Sequence, residues 1–406
     1  MERVGLNKIS FKEGVVMQKK VKLGDIATLI TKGTTPTSIG YSFVDSGVNF
    51  IKIESLNDQG GFIPEKFAFI SEDCNAKMQR SQLHENDILF SIAGAIGKKA
   101  VVSNNILPAN TNQALAIIRI PKGKINHQYL FYALESDGIK KQFEKQKQGV
   151  AQLNLSLKDI SEIEINLVSQ EEQDKTVAVI GNVDKLIDKR KQQLQKLDEL
   201  VKTRFVEMFG YTLDNGYIKK LEDVSIKITD GEHGTVPRCE GGRRYLMARN
   251  ITANNQLDLT DVAYIEEAVH QKIYSRCNPE FDDLLLVCVG ATIGKVTLIP
   301  QMDDFSIARS VALIKYDRNE LDGRFLLWQF NMDFMQNQLK TSSNESAQAG
   351  LYIGKIKELK VIVPPIVLQR EFSTFVQQTD KSKLEVQKSL EKLETLKKAL
   401  MQKYFG

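Results

Sequence analysis

The chain has 406 residues, 42% of them hydrophobic and 26% charged, with a net charge of +4. That length exceeds one ordinary core and calls for at least two domains; no apolar run reaches the roughly 18 residues of a membrane span and no secretory leader is visible, so a cytoplasmic globular protein without a membrane partner is expected. The charge balance neither requires nor excludes a polyanionic partner, so any DNA-binding surface has to come from local clusters of Lys and Arg.

Residues 1–17 have mixed composition without a clear period and read as a loosely held arm. Leu23-Gly24-Asp25-Ile26 starts a short element, and the stretch from Thr31 to Thr37, with its Gly, Thr and Pro, is a loop. Asn49 to Ile53 alternates as a strand. Asp87 to Ile92 is a second strand and runs into the turn Gly94-Ala95-Ile96-Gly97-Lys98. Lys99 to Val102 and Ala114 to Ile118 complete a strand-rich middle. Tyr129 to Lys147 reads as one helix, interrupted at Gly149-Val150-Ala151-Gln152, and an extended element of Ile160, Ile163, Ile165 and Leu167 leads into a long helix. From Glu171 to Phe209 there is no proline, and Ile180, Val183, Ile187, Leu194, Leu197, Val201, Phe205 and Met208 recur in steps of three and four with one gap at Arg190, the seam of a coiled coil. Roughly 39 residues on a helical rise make a rod about 58 Å long.

The same events then repeat. Aligned 196 residues apart, Gln173 meets Gln369, Leu194 meets Leu390, Leu197 meets Leu393 and Phe209-Gly210 meets Phe405-Gly406. The stretch from Val367 to Phe405 is thus a second rod, with its seam at Phe375, Thr379, Val386, Leu390, Leu393, Leu396, Leu400 and Tyr404. Leu221-Glu222-Asp223-Val224 echoes Leu23 to Ile26. Asp283 to Val287 is a buried strand, and Gly290-Ala291-Thr292-Ile293-Gly294-Lys295 is the earlier turn with one residue added. A duplication of this length predicts an internal two-fold axis. The expected fold is mixed α/β: two tandem, pseudo-two-fold-related α/β domains separated by two long antiparallel coiled-coil helices. The boundaries fall at 1–17 for the arm, 18–168 and 211–365 for the domains, and 169–210 and 366–406 for the helices. Residues 57–80 and 252–276 show no useful match, and Gly33-Thr34-Thr35-Pro36 faces Gly231-Glu232-His233-Gly234. One frame with different loops keeps an architecture while changing what it recognises.

Catalytic chemistry is not legible. A phosphate-binding loop needs four residues between its glycines and Ser or Thr after the lysine; Gly290 to Lys295 has three, with Val296 next, and the first copy has two. The turn reads as backbone needing positive φ, whose amides and lysine can face a nucleic-acid phosphate. Asn278-Pro279-Glu280-Phe281 resembles the Asn-Pro-Pro-aromatic signature of amino methyltransferases but lacks the second proline, and it reads as a turn. The four cysteines are scattered and the four histidines stand alone, which points to no disulfide framework and no metal. Arg forks and Asn amides read base edges while Lys binds phosphate. The DNA-binding candidates are therefore Lys32, Gly33, Thr34, Thr35, Lys52, Ser91, Lys98 and Gln152 in the first copy. In the second they are His233, Arg243, Arg244, Arg249, Asn250, Thr292, Lys295 and Gln348, with the arginines read as loop residues. Arg309 aligns with Asn112. The helix-pair or subunit interface is assigned to Ile180, Val183, Ile187, Leu194, Leu197, Val201, Phe205, Val386, Leu390, Leu393 and Leu400.

Leu23 to Ile26 with its Gly-Thr-Thr-Pro loop, Asp87 to Ser91 running into Ile96-Gly97-Lys98, Asn112-Gln113, Glu171-Glu172-Gln173, and their counterparts in the second copy form an ordered set. In that set the chain resembles the specificity subunit of type I restriction-modification systems, from about Met17 to its end. The resemblance implies two target-recognition domains, each reading one half of a split, asymmetric site in double-stranded DNA, with the helices as spacer. It implies two methyltransferase subunits and two ATP-driven restriction/translocase subunits as partners. Adenine-N6 methylation with S-adenosylmethionine, and the use of ATP and Mg2+, belong to those partners; this chain holds no cofactor and is not an enzyme. Two departures stand out: the shorter first glycine turn, and Arg309-Ser310 in place of Asn112-Gln113. Half-sites about one helical turn, roughly 34 Å, apart are the geometry that suits such a protein. The alternative is a non-enzymatic coiled-coil interaction protein whose globular domains bind protein. Inserting four residues, about one helical turn, near Leu194 is expected to lengthen the non-specific gap in the recognised site, read by mapping methylated positions. An unaltered gap rejects the helices as the spacer.

Overall fold

A computed structural model describes residues 19–146, 154–210, 216–344 and 350–406. The arm expected at 1–17 and the interruptions around Gln152 and Gln348 lie outside them. By its contacts the chain forms two units, one of residues up to Arg190 together with Ser389–Gly406, the other of Lys191–Lys388. Each long helix, Gln170–Phe209 and Ile366–Phe405, is therefore shared, one half in each unit.

In the first unit the strands are short apolar runs because both faces of the main sheet are covered. Ile88–Ser91 is buried at every residue and lies between Leu115–Arg119 and Lys99–Val101 in an antiparallel four-stranded sheet, with Leu29–Lys32 at the far edge. Ile88, Phe90, Ala116 and Ile118 face a core closed by the helix His127–Ala133. Leu89, Leu115 and Ile117 point the other way, onto Ile51, Leu56 and Ala109. Ile51 and Ala109 belong to a three-stranded sheet of Ala68–Ile70, Val48–Ile51 and Ala109–Thr111, the first pair antiparallel and the second parallel.

The second unit repeats this plan. Its four-stranded sheet orders Ser225–Asp230, Val311–Tyr316, Leu284–Val287 and Val296–Leu298, and its three-stranded sheet orders Ala263–Ile265, Arg243–Leu246 and Ser306–Ile307. The repeat reaches into the stretches whose sequences do not match: Ala68–Ile70 then helix Glu72–Lys77 correspond to Ala263–Ile265 then helix Glu267–Cys277. Ile70 and Ile265, both fully buried, hold the same place. The aspartates that open the central strands also correspond. Asp87 binds Arg119 at 2.7 Å and Asp283 binds Lys315 at 2.6 Å, each pair tying two adjacent strands.

Three expectations need correction. Ile160, read as part of an extended element, lies in the short helix Leu157–Ser161, and the strand that follows is Glu164–Leu167. The helix read from Tyr129 to Lys147 is two helices, His127–Ala133 and Asp137–Gln146, with Lys147 outside the described residues. The Ser136 N–H bonds the Ala133 carbonyl at 3.0 Å and its hydroxyl accepts the Ile139 N–H at 3.3 Å, capping a fresh helix. In the second rod Leu396 is 46% exposed, while Phe372 and Val376 are fully buried and Phe375 is half-buried. A helix of 3.6 residues per turn drifts from a seam read in strict steps, so the stripe slides off the covered line.

Within each unit the long helices run antiparallel, because one partner's number falls as the other's climbs. In the first, Asp184 meets Lys397 at 2.9 Å and Arg190 meets Ser389 at 3.2 Å. In the second, Asp198 meets Lys383 and Arg204 meets Glu371 at 3.3 Å. Ile180, Val183, Ile187, Val201, Phe205, Val386 and Leu390 are buried; Leu194, Leu197, Leu393 and Leu400 are half-buried. The helix ends dock on aromatic rings: Phe405 lies 5.0 Å from Tyr129, and Phe209 lies 4.8 Å from Phe325. The helix starts are latched by buried glutamines. The Gln173 carbonyl accepts the Asn126 N–H at 2.8 Å, and that of Gln369 accepts the Asp322 N–H at 2.9 Å.

In the first unit Lys99 and Lys397 converge on Glu135 at 3.4 and 3.5 Å. Burial pushes the Glu135 carboxyl up, but the two lysines outweigh it and hold the group below its ordinary 4.5. Stability from a depressed carboxyl is present above about pH 4.5 and is lost as pH falls through the folded value. Glu135→Gln leaves Lys99 buried beside a neutral amide. Because 35% of the Glu135 side chain meets water, the cost expected in urea unfolding is about 1–2 kcal/mol, less than for a fully buried pair. The gap to wild type closes on acidification; a gap independent of pH rejects this role.

Candidate nucleic-acid interface

At one end of the first unit's main sheet, short loops are stitched together by backbone hydrogen bonds. The Thr34 N–H donates to the Thr111 carbonyl at 3.1 Å, Ile92 to Ala114 at 2.9 Å and Leu155 to Ile92 at 2.8 Å. Loop 33–36, turn 93–98, loop 112–114 and the chain near 155 thus form one rim. Lys98 ties in the loop after Val48–Ile51, with Nζ 3.4 Å from the Leu56 carbonyl and 3.3 Å from Asp58. The Thr35 hydroxyl donates to the Gln113 side-chain carbonyl.

The second unit builds its rim the same way. Glu232 donates to Ile307 at 3.0 Å, Cys288 to Ser310 at 2.9 Å and Leu351 to Cys288 at 2.7 Å. The Ala248 N–H reaches the Ser310 hydroxyl at 3.2 Å. The Cys288 thiol donates to the Arg309 carbonyl at 3.3 Å, and burial pushes it up to about 12, so it keeps its proton at neutral pH. Both glycine turns are tight hairpin ends: Gly94 and Gly97 have φ of 66° and 94°, Gly290 and Gly294 of 105° and 92°. Gly33 and Gly231 serve close approach, since a Cβ there would come within 1.8 Å of the Thr111 carbonyl oxygen and 2.0 Å of that of Ile307.

The rims gather some of the candidates and leave others out. Lys32 is exposed and Lys295 half-buried, and neither has an ion pair among the described residues. Thr34 and Thr35 sit on the first rim, and Thr292 on the second glycine turn, all half-buried. His233 is exposed, its Nε2 2.7 Å from Asp230. Lys52 lies over the Phe43 ring at 5.0 Å and 3.7 Å from Glu54. Arg249, exposed beside Ala248, pairs with Asp261 at 3.1 Å.

Three candidates are turned inward. Gly33 is buried, Ser91 is buried with its hydroxyl on the Ala95 carbonyl, and Asn250 is buried with its amide on the Asp258 and Asp261 carbonyls at 2.9 and 3.1 Å. Arg243 and Arg244 are strand residues, not loop residues. They stand at the end of Arg243–Leu246 remote from the rim, paired with Glu267 at 2.6 Å and Asp303 at 4.0 Å. Apolar Tyr245 and Leu246 were a weak strand signal, masked by the two arginines. Gln152 and Gln348 lie outside the described residues. Sequence reasoning also misplaced one pair. Leu115 bonds back to Asn112 as Val311 bonds back to Ala308, so Asn112 corresponds to Ala308, and Arg309 to Gln113. Among the described residues no group of His, Cys, Asp or Glu side chains converges to hold a metal, and no helix is long and apolar enough to cross a membrane.

Known proteins share the family and the fold. The sequence matches the family described as type I restriction modification DNA specificity domain over residues 17–199 and 247–397. It is 32% identical over 136 residues to the type I restriction enzyme EcoBI specificity subunit of Escherichia coli, a match spanning 33% of this chain and 28% of that protein. To the MjaIX specificity subunit of Methanocaldococcus jannaschii it is 23% identical over 420 residues, spanning 95% and 91%. In fold it is similar to the type I restriction-modification S subunit from M. genitalium, with TM-score 0.56, 15% identity and 97% of both chains covered. It is also similar to a chain from a structure on complex assembly and conformational transition of the type I restriction-modification system. There the TM-score is 0.57 at 16% identity, over 98% and 99% of the chains.

The geometry separates Lys295, without an ion pair among the described residues, from Asn250, whose amide is tied inward. Lys295→Ala is expected to weaken duplex binding alike on all sequences and to lower the salt slope by about 0.9. Asn250→Ala is expected to leave that slope alone and to lower unfolding free energy by about 1–3 kcal/mol. The reverse pattern in salt titrations and urea melts overturns the assignment.

Proposed function

The chain belongs to the type I restriction modification DNA specificity family, and from that premise we propose that it is the DNA-addressing subunit of a restriction-modification complex, with no catalytic step of its own. The observation that carries this reading is one frame, built twice, with unlike rims at the same end of each sheet. Residues 18–168 read one half of a split, asymmetric site in double-stranded DNA, and residues 211–365 read the other. Because the frames agree, both domains approach a duplex alike; because the places of Thr34, Thr35 and Gln113 in the first are held by Glu232, His233 and Arg309 in the second, the two half-sites differ in sequence. Lys32 and Lys295 bind phosphate as point charges and set register, while side chains on the rims read base edges. The helices at 169–210 and 366–406 fix the spacing and present surface to the modification subunits.

Two methyltransferase subunits and two restriction/translocase subunits complete the assembly in the cytoplasm. Those partners hold S-adenosylmethionine, ATP and Mg2+ and carry out adenine-N6 methylation and ATP-dependent restriction. Replacing residues 18–168 by the corresponding domain of another member tests the reading. Sequencing of methylated sites in cells carrying the swapped system is expected to show one half-site changed and the other kept. A change in both halves rejects the assignment of one domain to each half.

A further inference from the structure

Each rim carries one exposed polar side chain at the same point of the frame, and its chemistry differs between the units. In the first it is Gln113, between the strands Ala109–Thr111 and Leu115–Arg119; in the second it is Arg309, between Ser306–Ile307 and Val311–Tyr316. The correspondence rests on backbone bonding: Thr34 to Thr111 matches Glu232 to Ile307, and Ile92 to Ala114 matches Cys288 to Ser310. Both side chains spring from braced backbone. The Arg309 N–H donates to the Glu232 carbonyl at 3.0 Å and its own carbonyl accepts the Cys288 thiol. The Gln113 amide is oriented by the Thr35 hydroxyl, which donates to its carbonyl oxygen and leaves the NH2 without a partner among the described residues.

The nearby acids are engaged elsewhere. The Glu232 carboxylate accepts the Gly234 N–H at 3.0 Å, and Asp230 is held by His233 at 2.7 Å and Arg276 at 3.8 Å. Arg309 itself has no ion pair among the described residues, unlike Arg249, which is paired with Asp261. An exposed guanidinium on rigid backbone, without an internal carboxylate, is pre-organised for an external acceptor pair. Two parallel Arg donors match O6 and N7 of guanine. An amide offering one donor and one acceptor matches N7 and the N6 amino group of adenine.

We propose that Gln113 and Arg309 are the equivalent base-reading side chains of the two domains, Gln113 selecting adenine in one half-site and Arg309 guanine in the other, an assignment that rests on the DNA-addressing function above. The test uses the full-length chain assembled with its modification subunits. Bound duplexes are selected from a randomised library and sequenced for wild type, Arg309→Gln, Arg309→Lys and Gln113→Arg. Arg309→Gln is expected to lower the preference for one guanine in one half-site by roughly 5- to 150-fold and to shift it toward adenine, with the other half-site unchanged. Gln113→Arg is expected to exchange an adenine for guanine in the opposite half-site, and Arg309→Lys to retain a weakened guanine preference. Complexes of Gln113→Arg and Arg309→Gln that melt like wild type and select the wild-type motif at every position with undiminished preference overturn the proposal. A wild-type complex that selects no motif overturns the DNA-addressing function beneath it.

Discussion

Each unit is closed by an aromatic side chain from the end of the other repeat's helix. Phe405, the second-last residue of the chain, packs on Tyr129, and Phe209 packs on Phe325 and Phe372. Neither repeat completes its own core: residues 18–210 hold Tyr129, Leu130 and Ile180 but lack the ring that covers them. Burying a phenylalanine contributes about 2–3 kcal/mol, so exchanging helix ends is a substantial part of what holds each unit closed. The latches at Gln173 and Gln369 fix the opposite helix ends against the N-caps at Asn126 and Asp322. Each half of a long helix is thus pinned within its own unit.

That constraint frees the rims. The frame is held by two-sided sheets, by strand-to-strand ion pairs at Asp87 and Asp283, and by the docked helices, none of which involves the tips of loops 33–35, 112–114, 231–235 or 309–310. Change at these tips disturbs little apolar packing. The backbone bonds that stitch each rim are made by N–H and carbonyl groups, which every residue except proline supplies in full. Side-chain chemistry can therefore vary on a constant trace. The exceptions are Gly33 and Gly231, where the neighbouring strand leaves no room for a Cβ, and the positive-φ glycines of the turns.

Much of the architecture was legible in the sequence because it is written in hydrophobic period and in repetition. Steps of three and four marked both rods, and a constant offset marked the duplication even where single motifs were weak. The strand Arg243–Leu246 and the elements in 57–80 and 252–276 escaped notice. Their signal lies in one or two buried residues, such as Ile70 and Ile265, and not in a repeated string. The break at Ser136 escaped because a cap depends on one hydroxyl meeting one N–H.

The candidate site was less legible, for a physical reason. Charge and residue type are local properties, so the sequence by itself determined which side chains are able to bind phosphate or read a base. Whether a side chain is available is decided by its neighbours in space. Only the tertiary structure turned Asn250 inward to cap its own loop, paired Arg243 with Glu267 at the wrong end of a strand, and put Arg309 at the place in its unit that Gln113 holds in the other, without an ion pair among the described residues. Sequence distance carries no information about such pairings, because the partners come from strands and loops that meet only when the sheets form.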